Sequence, residues 1–519
     1  MQALRNRFLH CVLFLAVLSA GSYAQTEAAA SQSADKKQEP AYRSQTVLRT
    51  TTRLVVLDVV ALDDKGQPLS DLTVDDFTVL EDGKPQKIKD FSFHHPGASA
   101  QAHTPAAGII SNVPQFSSNS CLNVILLDGI NTDYSNHAYA QDMLVRYLDS
   151  NPSLQPTAVF ALENKLTMLH DFTTDTRALR DVVAHFKYQG PIHIPDVYAA
   201  ASPFNRRGTY QVTGQGRFLT AKSMLFLAHT LAGYPGRKNL LWVSEGFPIS
   251  LFPELAAGQD ALIIDDYTAL AAKIADELME AQVALYPIDA AGVTVNDRFP
   301  ARTAMESMAE RTGGKTFYAR NDIDTGIRTS LDDGSTYYTL EYSPQSRNWD
   351  GKFRRIELKL SRPHKQLRYR QGYYALSPVS STDSASEAFS HAMDRDAPTS
   401  AAVRFQARVV MPSAQTQGKT VVNFGIDPHT IAFEKEADDL EHARLSCVVW
   451  AYGSKGEPVR AEGESNAALK AEVYQQMLRS YYPCQRSLAL KSGHYTLRLG
   501  VLDENTNLIG TATSQVTIP

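Results

Sequence analysis

Cys121-Leu-Asn-Val-Ile-Leu-Leu-Asp-Gly-Ile-Asn-Thr-Asp133 is the stretch on which the reading of this 519-residue chain turns. Its short apolar run stops at Asp128, with Asn131, Thr132 and Asp133 just beyond. A continuous apolar run, without polar alternation, predicts a strand covered on both faces, as in a parallel sheet flanked by helices. Ligands of such sheets bind in the crevice beyond the carboxyl ends of the strands. Asp128 is therefore a candidate site residue from its position alone.

Outward from this strand, residues 121–334 alternate between strand and helix patterns. Ala140, Leu144, Tyr147 and Leu148 share one helical face. Strand patterns follow at 157–161 and 165–170. Thr174-Asp-Thr-Arg then opens an amphipathic helix through Leu179, Val182, Val183 and Phe186. A long loop is expected at 190–216 and a helix at 219–232, closed by Gly233-Tyr-Pro-Gly236. Asn239-Leu-Leu-Trp-Val243 is a buried strand ending in Ser244-Glu245, and Val283–Ile288 is another, ending in Asp289. A helix over 303–312 stops at Gly313-Gly314, before a last strand at 315–319. The expected fold is a doubly wound, Rossmann-like α/β domain.

On either side the texture is β. Residues 46–95 carry a strong strand run and a hairpin around Asp82-Gly83. Residues 335–376 repeat this texture and are expected to pack with them. Segments 96–120 and 377–400, rich in Ser, Ala, Pro and Asp, read as linkers. Residues 401–519 suggest a C-terminal β-sandwich-like domain, interrupted by a helical stretch near 466–478.

The first 24 residues combine Arg5 and Arg7, an apolar core over 11–20 and Ser22-Tyr23-Ala24, the three parts of a secretory signal peptide. That core is shorter than the roughly 20 residues a membrane span needs. Residues 25–45 read as a flexible leader. Export to the periplasm or the extracellular medium is expected, with no transmembrane span in the mature chain. Such compartments permit disulfides. Cys447 and Cys484 share the C-terminal region and are either bridged or two buried thiols. Net charge is −5 with Lys and Arg dispersed, which gives no footprint for nucleic acid. The chain lacks Gly-x-Ser-x-Gly, P-loop, His-Glu-x-x-His and dinucleotide glycine patterns.

With these residues laid out, the central region resembles a von Willebrand factor type A domain. The whole chain resembles an exported acidobacterial family built around such a domain. The stretches carrying the resemblance are Leu72–Gln86, Pro235-Gly-Arg-Lys-Asn-Leu-Leu-Trp-Val-Ser-Glu-Gly-Phe-Pro248, Ala309–Tyr318 and Tyr338–Pro344. The resemblance implies a metal-ion-dependent adhesion site holding Mg²⁺ or another divalent cation through hydroxyl and carboxylate oxygens. Carried over, Asp128 takes its first position and Thr132 its third, while Ile130 stands where a hydroxyl belongs. Glu245 takes the place of the final Asp, and Thr209, Thr213 or Thr220 that of the loop Thr. Asn131 and Asp133 lie on the same face. Against this stands a purely structural role, in which Asp128 and Asn131 cap the helix and hold the loop.

The function implied is that of a non-catalytic protein-recognition or adhesion-type protein, partnered by an exported or envelope protein. An envelope- or carbohydrate-binding module, stacking sugars on Trp349 or Trp450, is the alternative, and a hydrolase a third.

Overall fold

A computed structural model describes residues 54–95, 108–116, 121–151, 155–188, 214–245, 273–292, 299–318, 323–332, 335–346, 350, 352–362, 366–375 and 382–519. The expected signal peptide and leader lie outside them, as do Thr209, Thr213 and Trp349. Residues 46–519 belong to one compact unit.

The α/β layer has a central strand, β6 (Leu122–Asp128), buried along its whole length. It lies between β7 (Thr157–Leu162) and β9 (Lys238–Ser244), parallel to both. β10 (Val283–Asp289) extends the sheet in parallel beyond β9, and β8 (Leu166–Thr173) closes the other side antiparallel to β7. The 315–319 segment contributes one parallel bridge, Ile288 to Phe317, in place of a full strand.

Alternate residues of β6 serve different helices, as the period of two requires. Leu122, Val124 and Leu126 pack with α3 (Gly214–Ala232), a helix at 273–280 (α4) and α5 (Phe299–Thr312). Ile125 and Leu127 pack with α1 (Tyr134–Ser150), α2 (Thr176–His185) and α6 (Ile323–Asp332). Both faces are thus covered, which is why the strand reads as unbroken apolar sequence. Each fully buried Leu or Ile here contributes about 1.5–3 kcal/mol.

Two four-stranded sheets flank this layer and share one core. One has the order β13 (Gln366–Arg368), β1 (Val55–Leu62), β11 (Tyr337–Tyr342), β4 (Ile88–His94). The other runs β14 (Gly372–Tyr374), β12 (Phe353–Leu360), β2 (Phe77–Glu81), β3 (Lys84–Gln86). Leu57, Val59, Phe77, Tyr338, Leu340 and Ile356 fill the space between them. The segments 54–95 and 335–375 are therefore interleaved strand by strand.

The C-terminal region likewise has two sheets around one core. The first is β20 (Tyr482–Leu488), β16 (Thr420–Ile426), β15 (Phe405–Val410), β5 (Ile110–Ser111). The second contains β17 (Glu434–Lys435), β18 (Glu441–Tyr452), β21 (Gly493–Asp503) and β22 (Leu508–Ile518), with β19 (Val459–Leu469) paired to β18. The helix expected near 466–478 is a strand to Leu469 followed by the short α8 (Ala471–Met477).

Two segments read as linkers are built into this region. Within 96–120, β5 pairs with β15, and Asn112 donates to the carbonyls of Ser400 and Val403 and accepts from Phe405 N. One amide side chain thereby replaces several missing ladder bonds, which its loop-like composition concealed. Within 377–400, α7 (Thr382–Ala392) buries Phe389 with Met393, Val448, Trp450 and Leu502. Trp450 is spent in this packing, with its indole donating to Glu462 and Arg460 lying 4.0 Å over the ring.

Cys447 and Cys484 sit on opposite sheets, both buried and both free thiols. The two thiols act on each other: the contact with Cys484 and burial raise the Cys447 thiol, and the same contact draws Cys484 down.

Candidate functional site

β6 and β9 are neighbours, yet the chain leaves β6 toward β7 and returns later to β9. Their carboxyl ends, Asp128 and Ser244-Glu245, therefore border the point where the winding reverses, where a doubly wound sheet opens a crevice.

Asp128 is fully buried. Its Oδ1 accepts from Ile130 N at 2.9 Å and Asn131 N at 3.0 Å. Its Oδ2 accepts from Asn131 Nδ2 at 2.7 Å and Trp242 Nε1 at 2.9 Å. Burial pushes the carboxyl pKa upward, and the hydrogen bonds from Asn131 pull it back. The Ser244 side chain donates to it too, so the roughly four lone-pair directions of the carboxylate are taken by protein donors. Asn131 also donates to Thr220 on α3, at 3.0 Å, so the loop is tied to the helix across the crevice.

Glu245 is turned elsewhere. Its Oε1 accepts from Asp133 N and Asn136 Nδ2, each at 2.7 Å. Asp133 is the residue preceding α1, and its own side chain makes no capping bond. The carboxylate of a different strand thus caps α1 and sets a negative charge at its positive end.

The other wall is Tyr188. Its hydroxyl donates between the carbonyls of Gly129, at 2.9 Å, and Thr132. Its ring stacks on His137, with centroids 4.2 Å apart and planes 8° from parallel. Both nitrogens of His137, Thr132 Oγ1 and Asn131 Oδ1 are buried without a hydrogen-bond partner. Tyr134, 68% exposed, stands 5.9 Å from the Tyr188 ring.

A divalent cation fits poorly at this constellation. Magnesium demands near-octahedral oxygen ligation, whereas Asp128 is saturated by protein donors, Ile130 offers no ligand and Glu245 Oε1 serves α1. Thr132 and Asn131 have free oxygens, but no group of three or more His, Cys, Asp or Glu suited to a metal occurs among the described residues. Asp128, Thr132 and Glu245 are brought to one end of the sheet, where the two carboxylates lock the loop by hydrogen bonds and Thr132 takes part through its carbonyl alone. Asp133 joins it through its backbone. Trp242, Asn136, His137 and Tyr188 belong to it too, and no sequence signal marked them. Trp242 alone was approachable, since it lies two residues before Ser244 on the neighbouring strand.

His137 supplies a pH test. Burial lowers its pKa from 6.5 to about 4. Between those values the unfolded chain binds a proton that the folded chain refuses. Stability is therefore undiminished above pH 6.5 and falls as pH drops, by roughly 3 kcal/mol at pH 4. His137→Phe, which preserves the ring packing, is expected to remove that part of the acid sensitivity. Denaturant midpoints of both proteins at pH 7, 5 and 4 measure it.

No protein-family model and no curated protein sequence matches this chain. Solved structures do. A von Willebrand factor type A protein from Catenulispora acidiphila is 12% identical, covering 57% of this chain and 76% of its own, with a TM-score of 0.25. An aerotolerance-related membrane protein from Bacteroides fragilis is 11% identical over 41% of this chain and 98% of its own, with a TM-score of 0.25. Proximal thread matrix protein 1 from the mussel byssus, with a zinc-occupied adhesion motif, is 7% identical over 46% of this chain and 50% of its own, at 0.25. Likeness at this level carries no argument about chemistry here. The strand order and the two helical layers establish an α/β fold from this chain's own coordinates.

Proposed function

We propose that this is an exported, non-catalytic recognition protein, built on a von Willebrand factor A-like domain beside a C-terminal β-sandwich-like domain. The proposed partner is an exported or envelope protein. The carrying observation is the exposed Tyr134 beside Tyr188, on a loop locked by Asp128 and Glu245. Tyrosine offers a large, amphipathic contact surface at low entropic cost, and a rigid loop minimises the ordering cost of binding. In the proposed reading, recognition at this face needs no metal, because the residue that would lead a metal site is already saturated.

The non-catalytic part rests on the same saturation. Asp128 and Glu245, the acid–base candidates at the strand ends, are both committed to holding backbone. The sugar-stacking alternative is weakened at Trp450, which is 6% exposed and covered by α7.

The test is capture from envelope extract by immobilised mature protein, with and without a chelator. Retention in chelator, and loss in Tyr134→Ala with its melting temperature unchanged, are expected. Capture that requires Mg²⁺ or Mn²⁺ would restore the metal-dependent reading; capture indifferent to Tyr134 would move the interface elsewhere.

A further inference from the structure

Two cysteines of the C-terminal region face one another across its core. β18 turns Leu445, Cys447 and Val449 into the space between the two sheets, and β20 turns Tyr482, Cys484 and Leu488 into the same space from the other sheet. Their thiols are in contact there. We propose that Cys447 and Cys484 are the reduced form of a cross-sheet disulfide, closed by exchange with a disulfide-bearing oxidant.

The register that brings them together is fixed on both sides of Cys484, since residues two apart on a strand share a face. Two residues after it, Arg486 donates its Nε to the Cys447 carbonyl at 2.9 Å. The same guanidinium donates an Nη2 hydrogen to the carbonyl of Gly463, which pairs with Cys447 on β19. Two residues before it, Tyr482 donates to the Ser465 carbonyl at 2.9 Å, and Ser465 pairs with Leu445. A Cβ on Gly463 would come within 3.1 Å of the Arg486 guanidinium, so a glycine opposite Cys447 keeps that bracket open. A disulfide forms without backbone movement only where the two side chains converge. Two inward thiols in contact, on strands pinned above and below, meet that demand.

The two thiols are unequal. Cys447 is wholly buried, and Cys484 is 7% exposed. The contact with Cys447 draws the Cys484 thiol down against the effect of burial, helped by the Arg486 guanidinium. The thiolate is the nucleophile, so Cys484 is the attacking group. Its sulfur attacks one sulfur of the oxidant's disulfide, forming a mixed disulfide and releasing the first donor thiolate. Cys447 then gives up its proton and attacks Cys484 Sγ, and the second donor thiolate leaves. Two protein thiols are oxidised, the donor disulfide is reduced, and the two protons end on the released thiols. Cys121 is held apart from this chemistry, in the α/β layer, where its Sγ accepts from Asn239 Nδ2 at 3.4 Å.

The test starts from the full chain folded in reductant. It is equilibrated with mixtures of reduced and oxidised glutathione, quenched in acid, alkylated and mapped as peptides. A Cys447–Cys484 linkage is expected, with Cys121 alkylated. The linked protein should melt a few degrees above the reduced one, because the bridge constrains the unfolded chain between the two residues. That rise should be absent from Cys447→Ala, and the wild-type map stands by itself if the variant does not fold. Both cysteines alkylated at every ratio, a linkage to Cys121, or glutathione retained on Cys484 of the wild type would overturn the proposal. So would a linked protein that melts no higher than the reduced form, or a rise that persists in Cys447→Ala.

Discussion

Asp128→Ala is expected to cost about 3–5 kcal/mol of stability, even in chelator. Its donors lose their acceptor together, among them the Asn131 amide, the Ser244 side chain and the indole of the fully buried Trp242. A buried donor left without an acceptor costs about 1–3 kcal/mol, more when the lost partner was charged. Asp128→Asn should fall between. It keeps one carbonyl oxygen but turns an amide toward groups that are themselves donors. Equilibrium unfolding in denaturant, with a chelator throughout, reads the difference. A carboxylate serving chiefly as a cation ligand would behave oppositely, since without metal its removal would relieve a buried charge. Stability unchanged or raised in Asp128→Ala would therefore overturn the loop-lock account.

The second large effect is expected at Arg498. It is 1% exposed on β21, and its guanidinium reaches the carbonyls of Ala392 and Pro398 and the hydroxyls of Thr511 and Thr513. Burial lowers its pKa to about 10, so it remains charged at neutral pH. These bonds pin the chain from the end of α7 toward β15 against the second C-terminal sheet. Arg498→Met keeps the aliphatic stem but strands two buried carbonyls, for an expected loss of about 3–4 kcal/mol. Arg498→Lys should recover only part, because a single ammonium cannot span acceptors arranged for a planar fork. Hydrogen exchange should show protection lost first over 389–403. A uniform loss across the chain would mean that Arg498 supports global packing, not this strap.

Much of the α/β layer is legible in the chain alone. Unbroken apolar runs at 122–127 and 239–243 report burial on both faces, and helical spacing in α1 and α2 reports the faces that cover them. The hairpin around Asp82-Gly83 is equally local, because its positive φ angles demand those residues. What composition misreports is structure made by distant partners. Segment 108–116 looks like a linker because its only strand is two residues long. Its place is held by Asn112, bonded to residues almost 300 positions away. α7 has a helical face too short to stand out until Val448 and Trp450 bury it.

The candidate site divides along the same line. Asp128 at the end of a buried strand follows from periodicity and the rule for parallel sheets. Whether its oxygens face a cation or the protein depends on where Trp242 arrives from β9 and how Asn131 folds back, and neither is a local property. Glu245 shows the same dependence: its sequence context matches an ion ligand, while the folded chain sets it beneath the open end of α1, two amide donors within 2.7 Å. Short-range patterns of hydrophobicity and turn chemistry specify elements and their buried faces. The occupancy of each lone pair is a long-range property, settled when strands 114 residues apart come into register.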